Sequence, residues 1–166
     1  VNVVDIKDKP THVVFSKTDI TGGQELAGAN MVLTDSDGKE IERWVSDGTP
    51  HELIAVLEPG ETYFLTEELP PDGYAFAETI EFTVSEDGTI DRVQMEDKPT
   101  RIEISKFDIT GEKELPGAEL EIRDKGGNLI ESWVSDGTSH VIQGKLIAGE
   151  TYSLIEKTAP DGYWIT

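Results

Sequence analysis

Cysteine does not occur anywhere in the 166 residues. Disulfides, thiolate nucleophiles and cysteine-based zinc sites are therefore excluded, and an exported protein of this composition must find its durability elsewhere. No run of 18 apolar residues is present, so no stretch has the length and polarity of a spanning helix. The first residues also lack the basic-then-apolar pattern of a signal peptide, which fits a mature or excised segment. Positive charge is scarce: 14 Lys and Arg stand against 34 Asp and Glu, a formal net charge of −20. That balance disfavours nucleic acid and anionic membranes as partners, because both need basic surface. His12, His51 and His140 are scattered, with no pair at helical metal-ligand spacing. Asp35-Ser-Asp37-Gly38 has the start of a calcium loop but not its later ligands or closing glutamate, so it reads as a hairpin turn. No phosphate-cradling glycine loop and no serine in a nucleophile elbow occur. No metal, cofactor or turnover enzyme is indicated.

What the chain does have is a repeat. Residues 11–77 align with 100–166 without a gap, with about half the positions identical. Lys17 falls on Lys106, Trp44 on Trp133, Glu67 on Glu156 and Tyr74 on Tyr163, always 89 positions apart. The opening Val4-Asp-Ile6-Lys-Asp8-Lys-Pro10 obeys the same offset against Val93-Gln-Met95-Glu-Asp97-Lys-Pro99. A unit of 89 residues is too long for a solenoid and suits a small domain. The organisation expected is the last strand of a preceding repeat over 1–10, a complete domain over 11–99, and over 100–166 a second domain lacking its C-terminal strands. Lys98-Pro99-Thr100 is a short linker, which predicts a stiff, extended line of domains.

Each unit reads as all-β. Turn signals recur at Asp35–Gly38, Ser46–Thr49, Glu58–Gly60, Pro70–Gly73 and Ser85–Gly88. Between them lie short runs rich in Val, Ile, Leu, Thr and aromatics, and no stretch holds a helical period. About seven strands per unit predict a two-sheet, immunoglobulin-like sandwich. Trp44 and Trp133 read as core aromatics, and His51 with His140 as polar residues following a turn.

Three of these strands share an unusual pattern. Alternation along a strand puts Val13, Phe15 and Lys17 on one face, Tyr63, Leu65 and Glu67 on one face, and Val93, Met95 and Asp97 on one face. Each runs apolar, x, apolar, x, ionisable. A charge on a core face is costly unless partnered or neutralised. Two readings stand on this pattern alone: strand-end charges turning outward to water, or a buried meeting of Lys, Glu and Asp.

The stretches Phe15-Ser-Lys17, Glu25-Leu-Ala-Gly-Ala29, Tyr63-Phe-Leu-Thr-Glu67 with Pro71-Asp-Gly-Tyr74, and Val93-Gln-Met95-Glu-Asp97 together resemble the B-type repeat domains of the collagen adhesin family. These are prealbumin-like modules of Gram-positive surface adhesins and pilins. The resemblance covers the complete repeat, and the second as far as it extends. It implies a spontaneous isopeptide bond, with Lys17 as amine, Asp97 as acceptor and Glu67 as proton shuttle. Lys106 and Glu156 match the same roles in the second repeat, where no acceptor follows. In this light the outward reading of the three charges becomes the minor one.

The chemistry is consistent with the inward strands. An apolar interior disfavours both charges of a Lys–Asp pair, and a neutral amine and a neutral carboxyl are nucleophile and electrophile. Rigid placement supplies the effective concentration that lets an amide form without ATP, with water as leaving group. The bond forms once per molecule and is not turnover catalysis. The function expected is a stalk or shaft module of a cell-wall-anchored adhesin or pilus. Its partners would be neighbouring repeats, and a host-surface ligand would be bound through other domains. The alternative is a module that itself binds a host or matrix molecule. The strand Val4–Asp8 has the alternation to fill a second unit's open edge, so head-to-tail strand exchange between chains, maturing to a Lys106–Asp8 bond, is a further expectation.

Overall fold

The computed structural model describes residues 5–165. The chain divides into two compact units, one comprising the residues up to Pro71 together with Ala75–Lys98, the other Asp72–Tyr74 together with the residues from Pro99 on. Among the described residues there is no helix.

The first unit holds seven strands: β1 (His12–Asp19), β2 (Ala27–Asp35), β3 (Glu40–Asp47), β4 (His51–Ile54), β5 (Thr62–Leu69), β6 (Ile80–Thr83) and β7 (Ile90–Asp97). They form two sheets, ordered β4-β1-β7 and β3-β2-β5-β6. The period-2 pattern of the sequence explains the sandwich. Val13, Phe15, Met31, Leu33, Tyr63, Leu65, Val93 and Met95 all turn into one buried core between the sheets. The turns lie where glycine and aspartate announced them. At Asp35-Ser-Asp37-Gly38, Asp35 Oδ1 accepts the backbone N–H of Asp37 and of Lys39, and Gly38 takes a φ of 79° that a side chain would oppose. That is the hairpin reading of this segment, and no metal-ligating cluster is found among the described residues.

One pairing governs the site. β1 and β7, the first and last strands of the unit, run parallel as neighbours, with Lys17 opposite Met95 and Asp19 opposite Asp97. β4 pairs with β1 only from His12 to Phe15. Beyond Phe15, β1 keeps β7 on one side, and on the other the Glu25–Leu26 segment replaces β4, bridging Thr18 and donating the Leu26 N–H to the Lys17 carbonyl.

The second unit has β8 (Arg101–Ile104), β9 (Pro116–Asp124), β10 (Leu129–Asp136), β11 (His140–Gln143) and β12 (Tyr152–Thr158), in sheets β11-β8 and β10-β9-β12. Ile122, Ile142 and Leu146 form its core cluster, flanked by Ile102, Ile104 and Trp133. Strand β8 stops at Ile104, where its pairing with β11 ends, so Lys106 stands beyond it. A strand needs a partner's hydrogen bonds, and among the described residues none lies along the edge that corresponds to the β7 side of β1.

At the other end, Val4 lies outside the described residues. Asp5–Pro10 is exposed and belongs to no strand.

Candidate functional site

The three ionisable residues of the alternating strands meet inside the first unit. Lys17 is 5% exposed, Glu67 5% and Asp97 0%, so the outward reading of these charges does not hold. Each is delivered by its strand. Lys17 follows Val13 and Phe15 on the inner face of β1, and Asp97 follows Val93 and Met95 on the inner face of β7. Because Lys17 pairs with Met95, Asp97 is its diagonal neighbour two residues further along the same face, within reach of the four-carbon lysine stem. Glu67 comes from the opposite sheet, on β5 beside Met31 of β2.

Lys17 Nζ contacts Asp97 Oδ1 directly and lies 2.9 Å from Glu67 Oε1. The other Glu67 oxygen accepts the backbone N–H of Ala77 at 2.9 Å, which fixes the carboxylate's orientation. Glu67 Oε1 is at ion-pair distance from the amine but off the hydrogen-bonding direction, so it has no donor of its own, and Asp97 Oδ2 also lacks one. Burial pushes the Asp97 carboxyl up to about 6, with the Glu67 carboxylate acting in the same direction and the Lys17 amine opposing both. The neutral acid, which is the better electrophile, is therefore much better populated near neutral pH than for an exposed aspartate.

The second unit repeats part of this. Lys106 Nζ lies 3.1 Å from Glu156 Oε1, with side chains 19% and 8% exposed. Both Glu156 oxygens are buried without a hydrogen-bond donor. Ile104, Ser105, Lys106, Leu120, Leu154 and Glu156 surround a cavity of about 190 Å³. Leu154 is 52% exposed, whereas Leu65, its counterpart in the first unit, is 1% exposed. Asp8 is exposed and has no ion-pair partner among the described residues.

His51 is not simply a polar residue after a turn: its ring stacks on Trp44 with centroids 4.3 Å apart and planes 12° from parallel. Trp44 in turn packs on Phe15 at 5.5 Å. The second unit repeats the stack in Trp133 and His140, also at 4.3 Å. The signal available was the 89-residue offset carrying Trp and His together. Nothing in their spacing says that the rings touch.

The description SpaA, prealbumin-like fold domain, matches residues 11–99 and again 100–166. No curated relative matches the sequence. Among solved structures, the Bacillus anthracis TIE protein is similar over 96% of this chain at 24% identity and a TM-score of 0.54, and the chain spans 30% of that one. The shaft pilin SpaA of Lactobacillus rhamnosus GG is similar over 95% of this chain and 91% of its own, at 15% identity and a TM-score of 0.46. A streptococcal ancillary pilin is similar over 97% of this chain and 57% of its own, at 17% identity and 0.48. With two matches in tandem that together span most of its length, the chain belongs to the SpaA prealbumin-like fold domain family.

Proposed function

We propose that this chain is a structural stalk module of a Gram-positive cell-surface adhesin or pilus, locked by an amide between Lys17 and Asp97. The observation that carries this reading is the convergence of Lys17, Glu67 and Asp97 in one buried site, with the amine against the acid. Lys17 Nζ attacks Asp97 Cγ, the new N–C bond forms, and one Cγ–O bond breaks. Glu67, beside the amine, first relays a proton from the Lys17 ammonium to the Asp97 carboxylate, giving neutral amine and acid, and after the attack carries a second proton from Nζ to the departing hydroxyl, which leaves as water. The strands hold amine and acid in contact, which supplies the effective concentration for an uphill condensation. The product replaces a buried ion pair by a neutral amide. The mass of the intact chain should be one water below that of its sequence. A digest should contain a branched peptide joining the segments around Lys17 and Asp97. Full sequence mass after folding overturns the reading.

The second unit supports a companion reading. Among the described residues no strand pairs with the edge of β8 that corresponds to the β7 side of β1, and Lys106 and Glu156 stand beside a groove with exposed Leu154. Val4–Asp8 repeats the Val93–Asp97 pattern, with Asp8 in the acceptor's place. Strand addition from another copy would bring Asp8 to Lys106. Denaturing electrophoresis of concentrated chain should then show a covalent ladder that Asp8→Ala removes. A single monomer band overturns the intermolecular bond.

A further inference from the structure

The condensation proposed above releases a water inside a dry core, and the amide it leaves must then be kept from water. The geometry points to the Trp44–His51 stack as the gate between the Lys17 site and solvent. This rests on the Lys17–Asp97 reading and assigns residues to a step which that reading leaves open.

The gap that needs a gate follows from the strand pairing. β4 accompanies β1 only as far as Phe15; beyond it Glu25 and Leu26 take over, Leu26 donating its N–H to the Lys17 carbonyl at 2.6 Å and Glu25 bridging Thr18, so the neighbour of β1 on that side changes at Ser16. The turn from β3 to β4 passes from one sheet to the other at this edge of the sandwich. Asp47 Oδ1 pins that turn by accepting the N–H of Thr49 at 2.9 Å and its hydroxyl at 2.7 Å. Trp44 and His51 flank the turn, and Glu42 Oε1 holds His51 Nε2 at 3.0 Å. The rings thereby form a layer over Phe15, with His51 outermost and 29% of its side chain exposed.

Behind this layer is a small cleft. Lys17, Ser46, Thr49, Trp44 and His51 are among its walls, and it leaves about 10 Å³ for the centre of a water. That is about the room that one water needs. The cleft runs from exposed Thr49 to buried Lys17. Its wall carries polar groups a passing water requires: Ser46 Oγ accepts the Ala29 N–H at 2.9 Å and keeps its own proton to donate, and the Thr49 hydroxyl lies nearer the surface. A cleft with room for about one water, polar on its wall and capped by a stacked pair, would let the product water out singly and deny bulk water a standing place beside the amide. The second unit builds the same cap. Trp133 and His140 stack with planes 8° apart, Glu131 holds His140 at 3.0 Å, and Ser135 Oγ accepts the Ala118 N–H at 2.9 Å.

The test reads water access at the linked nitrogen of the full chain. With lysine side chains labelled with nitrogen-15, the amide-linked Lys17 Nζ carries a single proton visible by NMR, and its exchange with D2O can be timed. His51→Ala should speed that exchange by about tenfold or more, while the backbone amides of Val13 and Met95 in the same core keep their rates. His51→Phe, which restores a flat ring over Trp44, should return it to the parent rate. Glu42→Ala, which frees the imidazole but leaves the ring in place, gives a smaller increase and serves if His51→Ala does not fold. Unchanged Nζ exchange in His51→Ala and in Glu42→Ala overturns the gate, as does an increase shared equally by Val13 and Met95, which reports general loosening. Absence of the linked Nζ–H from the parent chain overturns the bond itself and the gate with it, so the two failures are distinguishable.

Discussion

Glu67→Gln should leave the chain at its full sequence mass and lower the melting temperature of the first unit by tens of degrees. Glutamine keeps the size of Glu67 and a carbonyl oxygen to accept the Ala77 N–H, which Glu67 Oε2 now receives at 2.9 Å. It cannot relay protons between Lys17 and Asp97, so the amide does not form. The stability lost is chiefly that of the closed loop, since Lys17 and Asp97 are 80 positions apart. By analogy with disulfide loop closure, a loop of this length contributes about 4.5 kcal/mol against unfolding. For a domain of this size that corresponds to a fall of roughly 20–35 °C. Mass spectrometry and scanning calorimetry of the same sample check both halves. A variant that still loses water removes Glu67 from the proton path. One that stays unlinked but melts with the parent denies the bond its structural role.

Stretching the first unit between residues 11 and 99 should release almost no length in the parent chain. With the proposed amide in place, force entering at the N-terminal end of β1 would travel along it to Lys17, cross to Asp97 and leave through Lys98. Strands β2 to β6 and nearly all of β7 lie outside that path. The reason is topological: β1 and β7 are parallel neighbours, so one bond near their C-terminal ends would join the two strands through which load enters and leaves. In Glu67→Gln the same pull should unfold the unit and pay out the chain between Lys17 and Asp97, 80 positions apart, roughly 260–290 Å when extended. Single-molecule stretching resolves that difference directly. An unfolding step of this length in the linked parent would mean that the covalent path does not carry the load.

Sequence by itself determined the class of the fold and which residues share a strand face. Alternation has a period of two, so Val13, Phe15 and Lys17 had to share a face, as did their counterparts on β5 and β7. The 89-residue offset declared the repeat, and glycine with aspartate marked the turns through their local backbone chemistry. Tertiary structure decided which strands became neighbours. The parallel β1–β7 pairing joins residues about 80 apart, and no local pattern encodes it; it comes from closing two sheets on one core. The same closure decided that Lys17, Glu67 and Asp97 turn inward together, where strand-end exposure would have suited the same alternation. It also decided that β1 reaches Lys17 whereas β8 stops short of Lys106, because strand length depends on hydrogen bonds that a partner supplies. The Trp44–His51 stack was invisible for a related reason. Its two rings come from strands of different sheets, so their contact depends on how the connecting turn crosses the edge of the sandwich, which is a property of the packed molecule.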